Sequence, residues 1–168
     1  MKPQETAQLC DDDASAQVVC LPWRHFGGRR QMQGPVATLS CEGHSGLIRD
    51  TFAQPGGGRV LVVDGGGSLA FALMGDRMAQ RAIVNGWAGV VIHGAVRDAA
   101  TLATLPLAIM ALGTCPRRAG LESAGQLDVS FRLAGVTVQP GCFLVADDDG
   151  VVVLPAGKAP PHGVEQGP

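Results

Sequence analysis

Apolar residues fall into short runs separated by glycine, proline and acidic breaks, and the period within each run predicts an element. Residues 36–41 alternate, with Val36, Thr38 and Ser40 on one face and Ala37, Leu39 and Cys41 on the other, which predicts a strand. Residues 59–63 and 89–92 are continuous apolar runs and predict buried strands. Between them, Met78, Ala79, Ala82 and Ile83 recur at helical spacing over 76–85, with Gly86 as a stop. Residues 69–74 are apolar and ambiguous, with a strand as one reading. Gly94 to Asp98 predicts a loop, 99–105 a helix closed by Pro106, and 108–112 a further strand. Upstream, Thr6 is placed to cap a short helix that stops near Asp11-Asp12-Asp13. Residues 18–21 are strand-like, Gly27, Gly28 and Gly34-Pro35 break the chain, and 47–54 suits a short helix. The C-terminal third turns to β-type runs at 129–133, 136–138, 142–146 and 151–154, with a hairpin turn at Asp147-Asp148-Asp149-Gly150. Strand–helix–strand in the centre with flanking β runs predicts an α/β domain with a mixed sheet over residues 1–155. The Pro- and Gly-rich residues 156–168 are expected to form a loose tail.

Composition narrows the class. Of 168 residues, 46% are hydrophobic and 17% charged, enough apolar material for one globular core. The formal net charge is −2 and the only adjacent arginines are the pairs Arg29-Arg30 and Arg117-Arg118, which argues against direct nucleic-acid binding. No apolar run reaches the ~18 residues of a membrane span, and the N-terminus lacks a signal-length apolar stretch. Cys10, Cys20, Cys41, Cys115 and Cys142 are odd in number, scattered and free of CxxC pairs. They predict reduced thiols in a cytoplasmic protein, neither a disulfide framework nor a zinc site.

Candidate chemistry lies mainly in the centre. Gly65-Gly66-Gly67-Ser68-Leu69-Ala70 fits a dinucleotide fingerprint, but Gly75 interrupts the required helix and Asp64 would face the phosphate. A turn with close backbone approach is the better reading. The only lysines, Lys2 and Lys158, lie near the termini, so carbanion chemistry beside a carbonyl would need a metal as electron sink. Arg97, after the second central strand, could fork onto a carboxylate, and Asp98 could hold a divalent ion. On these residues alone the favoured reading is an exposed Arg-Asp pair in which Asp98 merely caps the next helix. Gly75-Asp76-Arg77-Met78 opens a helix whose free amides suit an anion, or is an ordinary N-cap at Asp76. His93 reads as a structural histidine, His25, His44 and His162 lack metal-ligand spacing, and Cys115 has no base near it in sequence.

The segments together resemble the RraA-like family. They are Thr6-Ala7-Gln8-Leu9-Cys10-Asp11, Phe26-Gly27-Gly28-Arg29, Val62 to Ser68, Gly75-Asp76 and Asn85 to Ile92. Beyond these come Gly94-Ala95-Val96-Arg97-Asp98, Ala111-Leu112-Gly113-Thr114, Gly135 to Val138 with Pro140-Gly141, and Ala146-Asp147 with Asp149-Gly150-Val151. That family contains 4-hydroxy-4-methyl-2-oxoglutarate aldolases and a regulator of ribonuclease activity. Its aldolases resemble one another in an Asp, twenty residues, then Arg-Asp, and twenty residues separate Asp76 from Arg97-Asp98 here. The resemblance implies a single swivelling β/β/α domain, usually a homotrimer. It implies a metal-dependent (class II) pyruvate aldolase with oxaloacetate decarboxylase activity. Asp98 would hold Mg²⁺ or Mn²⁺, and Gly75, Asp76, Arg77, Met78 and Arg97 would surround the 2-oxo acid. Arg97 would stabilise the enolate, and Asp76 would orient or deprotonate a water. Longer members add an acidic residue from a neighbouring subunit; the only acid in this tail is Glu165. The alternative is a non-catalytic regulator that binds a ribonuclease or another protein. A methyltransferase lacks support, since no glycine-rich methyl-donor loop is followed by a helix.

Overall fold

The computed structural model describes residues 3–161. In chain order the helices are α1 (Thr6–Asp12), α2 (Gly46–Phe52), α3 (Asp76–Val84) and α4 (Ala99–Leu102). The strands are β1 (Gln17–Val18), β2 (Arg24–His25), β3 (Met32–Ser40), β4 (Val60–Asp64), β5 (Ala72–Met74) and β6 (Gly89–Val96). They continue with β7 (Ala108–Thr114), β8 (Gln126–Leu127), β9 (Phe131–Leu133), β10 (Val136–Val138), β11 (Phe143–Asp147) and β12 (Gly150–Leu154). The main sheet runs β1-β12-β11-β3-β4-β6-β7-β2, with β5 paired to β6 and β8 to β3; β9 and β10 form a separate hairpin.

The central strands β3, β4, β6 and β7 are parallel and apolar on both faces. Leu61, Val63, Val90, Ile92 and Ile109 point into one core with Ile48, Phe52 and Ala79 of the helices. Val60, Val62, Val91 and Met110 point into a second core closed by Leu133, Val136 and Val138 of the β9–β10 hairpin. Burial on both faces explains why these strands read as unbroken apolar runs. Trp87 fulfils its expected packing role, edge-on to Phe52 with ring centroids 5.5 Å apart.

Several local expectations are corrected. Gly34-Pro35 does not break the chain: β3 runs straight through it, pairing antiparallel with β11 up to Pro35 and parallel with β4 from Val36. The dipeptide marks the change of partner, and Pro35, whose ring removes a donor, is exposed. Thr6 is not the cap of α1, because Glu5 holds that position. Instead Thr6 N–H and Oγ1 both donate to the Asp147 carboxylate, at 2.8 and 2.6 Å. The segment from Gly94 to Val96 is the end of β6 rather than loop, and α4 stops at Leu102. The two-residue strands β2 and β8 are too short to have a period. Among the described residues no helix is long and apolar enough to cross a membrane.

Candidate functional site

The site grows from the carboxyl ends of β5 and β6. Met74 O, at the end of β5, accepts a hydrogen bond from Arg97 N–H at 3.0 Å. The chain then passes through Gly75, extended at φ −139° and ψ −165°, into α3. From β6 it leaves through Arg97 to Asp98, which stands in the left-handed region at φ 61°. Aspartate is one of the few residues other than glycine that tolerate this region. The Asp98 carboxylate lies over the start of α3, where Oδ2 accepts a hydrogen bond from Asp76 N–H at 3.1 Å.

Both of the plain capping alternatives are thereby corrected. Asp98 sits at the N-cap position of α4 but makes no side-chain cap bond there; its carboxylate serves α3 instead. Asp76 is the first residue of α3 rather than its cap, and its Oδ1 accepts from Arg77 N–H at 2.8 Å. Gly75 is required by space. A Cβ on it would lie 2.4 Å from Asp98 Oδ2 and 3.4 Å from Arg97 Cγ.

Gly75, Asp76, Arg77, Met78, Arg97 and Asp98 all line one open cleft of about 630 Å³. The far walls add Arg49 from α2, Arg81 from α3, Arg118 from the segment after β7, and the apolar Leu121. Five arginines therefore face two carboxylates in a chain whose net charge is −2. Arg49 is committed to Asp50, with Nε 2.9 Å from Oδ1. Hydrogen bonds from Arg49 and Ser123 hold the Asp50 carboxyl below its ordinary range. The side chains of Arg77, Arg81, Arg97 and Arg118 make no hydrogen bond or ion pair among the described residues. Amides at the α3 N-terminus add to the positive field.

Three of these cleft residues, Arg49, Arg81 and Arg118, escaped the sequence reading. Arg81 carried a usable signal: it follows Arg77 by one helical turn, on the same face of the helix that opens the site. Arg118 was visible only as half of a charged pair, and Arg49 carried no signal because α2 reaches the site through tertiary packing.

Among the described residues no group of three His, Cys, Asp or Glu side chains could cage a metal. Asp98 offers a single exposed carboxylate. That donor set does not suit a structural zinc, and does suit a hard cation that keeps water and substrate as its remaining ligands. His93 behaves structurally, its Nδ1 3.2 Å from Asp64 Oδ1 and its carbonyl accepting from Gly65 and Gly67 N–H. The Gly65–Gly67 turn leads into β5 and not into a helix, so the dinucleotide pattern has no structural counterpart. Lys158 is tied to Asp13 and Ser15, with Nζ 2.7 Å from Ser15 Oγ, and does not line the cleft. Lys2, His162 and Glu165 lie outside the described residues.

The family model described as RraA-like, Aldolase/RraA, matches residues 6–153. A protein of Xanthomonas campestris pv. campestris (strain B100) with the provisional name 4-hydroxy-4-methyl-2-oxoglutarate aldolase is 50% identical over 151 residues. The match covers 90% of this chain and 91% of that protein. Among solved structures, the RNA-processing inhibitor RraA from Thermus thermophilis superposes with a TM-score of 0.91 at 41% identity, covering 98% of each chain. The S-adenosylmethionine: 2-dimethylmenaquinone methyltransferase from Geobacillus kaustophilus HTA426 superposes at 0.89 with 42% identity, covering 95% of this chain and 100% of that one. The fold is accordingly the swivelling β/β/α type with a curled mixed sheet.

Proposed function

We propose that this chain, which belongs to the RraA-like family, is a lyase that cleaves 4-hydroxy-4-methyl-2-oxoglutarate or a related 4-hydroxy-2-oxo acid to pyruvate, and that also decarboxylates oxaloacetate. One observation carries the reading: Gly75 to Met78, Arg97 and Asp98 converge on one cleft, with the Asp98 carboxylate fixed across the start of α3. The relatives' aldolase name supports it.

In the retro-aldol direction, the 4-hydroxyl loses its proton, the C3–C4 bond breaks, and the electron pair passes to the pyruvate enolate, which is then protonated at C3. Decarboxylation of oxaloacetate breaks its C3–C4 bond with loss of carbon dioxide and yields the same enolate. Arg97 would bind the 2-oxo acid head and neutralise the enolate oxygen as charge develops. The Asp76 and Arg77 amides are engaged by carboxylates, so the Met78 N–H is the α3-opening amide that would help hold the carboxylate of that head. Asp76 would take the hydroxyl proton through a water: Oδ1 is occupied by the Arg77 amide, and its other oxygen has no protein partner among the described residues. Asp98 would hold Mg²⁺ or Mn²⁺, which when bound supplies the Lewis acid that polarises the keto group. Among the described residues no lysine lines the cleft to do that work through a Schiff base. We place the enzyme in the cytoplasm, as a homotrimer, with its cysteines reduced.

The test is pyruvate release from 4-hydroxy-4-methyl-2-oxoglutarate and from oxaloacetate, with Mg²⁺, with excess EDTA, and for Asp98→Ala and Asp98→Asn. Turnover is expected to need the cation and to be lost in both variants; Asn, which tolerates the left-handed backbone, separates loss of the carboxylate from backbone strain. Folded protein that turns over neither substrate with Mg²⁺ or Mn²⁺ would shift the reading to a regulator that binds a ribonuclease or other protein. The 41%-identical structure named as an RNA-processing inhibitor is what favours that second reading.

A further inference from the structure

The cleft holds more positive charge than the chemistry above consumes. A 2-oxo acid head carries one carboxylate, and the Arg97 guanidinium with the Met78 amide is enough to bind it. Arg81 and Arg118 also line the cleft, and neither has a hydrogen bond or ion pair among the described residues. Arg49 is a different case, already held by Asp50.

The backbone explains why these guanidinium groups stand apart from Arg97. On one flank of β5, Arg97 N–H is bonded to Met74 O. On the other flank, Ala72 N–H donates to Arg117 O at 2.7 Å and Ala119 N–H donates to Ala72 O at 2.9 Å. These two bonds place Arg117 and Ala119 toward β5 by their main chains and leave Arg118 bridged to Ala72 between them. Arg97, beside Met74, and Arg118, beside Ala72, thus lie on opposite flanks of β5, roughly 10 Å apart across the strand and offset along it by two residues. Arg81, a turn further along α3 than Arg77, lines the same cleft. A short molecule with an anion at each end would pair with Arg97 at one end and with Arg81 and Arg118, which line the same cleft, at the other, and a monocarboxylate would leave those two arginines without a ligand.

We infer that Arg81 and Arg118 form a second carboxylate subsite, so that the cleft selects short 2-oxo acids bearing a distal carboxylate over monocarboxylates of equal length. This rests on the lyase reading for the orientation of the substrate, but the subsite itself can be read by binding alone. Arg81 and Arg118 are both exposed along an open cleft, so a substrate without that group leaves them to water, and the preference comes from the charge-assisted bonds that the distal carboxylate gains.

The experiment measures binding of 2-oxoglutarate and of 2-oxopentanoate by titration calorimetry in the presence of Mg²⁺. Neither has a 4-hydroxyl, and they differ only in the distal carboxylate. The unaltered protein is expected to bind 2-oxoglutarate roughly 10- to 100-fold more tightly. Arg118→Gln and Arg81→Gln should each remove most of that preference while leaving 2-oxopentanoate binding within about twofold. Arg117→Gln, which alters a neighbouring exposed arginine outside the cleft, should keep the preference. In turnover with a 4-hydroxy-2-oxo dicarboxylate, the Arg118 variant should raise KM with kcat nearly unchanged, the mark of uniform binding lost. Equal affinity of the unaltered protein for the two acids overturns the subsite. So does an equal loss on both acids in the Arg118 and Arg81 variants. A clear preference for 2-oxoglutarate in a protein that releases no pyruvate from any hydroxy-oxo acid would keep the subsite and sink the lyase reading instead.

Discussion

At the scale of single residues, the site depends on three main-chain conditions rather than on unusual side chains. Gly75 must have no Cβ, Asp98 must accept a left-handed backbone, and the α3 amide of Asp76 must meet the Asp98 carboxylate. Gly75→Ala tests the first. Its methyl would sit 2.4 Å from Asp98 Oδ2, far inside contact distance, so the Asp98 side chain must rotate away from α3. A displacement of about 1 Å at a reacting group can cost on the order of 100-fold. Gly75→Ala is therefore expected to lower kcat/KM for pyruvate release by about that factor. Its thermal midpoint should fall by only a few degrees, since the obstructing atom is the end of an exposed side chain. A large loss of midpoint with activity preserved would show that Gly75 serves the fold and not the position of Asp98.

At the scale of elements, the N-terminal helix is held by one carboxylate. Asp147, 7% exposed at the end of β11, accepts two hydrogen bonds from Thr6 and a third from Asp149 N–H at 3.0 Å. Burial works to raise its pKa, and the bonds from Thr6, Asp149 and Gly150 overcome it, leaving the carboxyl below its ordinary 3.8. A folded value below the unfolded one means stability that is complete above the unfolded pKa. It is lost as pH falls through the folded one, that is, below 3.8. Asp147→Asn should cost about 2–3 kcal/mol at neutral pH, since it swaps charge-assisted bonds for weaker or mismatched ones. It should also flatten the acid limb of a urea-denaturation series, where the unaltered protein declines. The same tie shows what the sequence could and could not disclose. Val62, Val63, Met78 and Ala82 announce their elements because burial on a strand or helix face leaves a period in the chain. Thr6 and Asp147 lie 141 positions apart, and their pairing has no local trace. The core strands, α3 and the Gly75–Met78, Arg97, Asp98 cluster were legible, the last through the family's spacing. The continuation of β6 to Val96 was hidden because Gly94 looks like a breaker, although its neighbours Ala95 and Val96 pair with β5 and β7. Arg49, Arg81 and Arg118 come together only when α2, α3 and the segment after β7 close around one cleft.

At the scale of the whole molecule, the acids available to the cleft decide whether one chain is a complete enzyme. Its described lining offers only Asp76 and Asp98, and Asp98 is assigned here to the cation. Asp76 is then the single carboxylate left for proton transfer, partly engaged by the Arg77 amide. A further acid supplied by a neighbouring subunit, as longer family members use, would relieve that shortage and would make activity a property of the assembly. The expected mass in light scattering is that of three 17.3 kDa chains, about 52 kDa. Activity per chain is expected to stay constant on dilution until the mass begins to fall, and then to fall with it, because a neighbour's acid leaves with the neighbour. Adding Mg²⁺ at saturating level should not restore it, which separates loss of a subunit from loss of the cation. Constant activity per chain through dissociation to 17.3 kDa would instead assign the whole proton balance to Asp76 and the waters it orders.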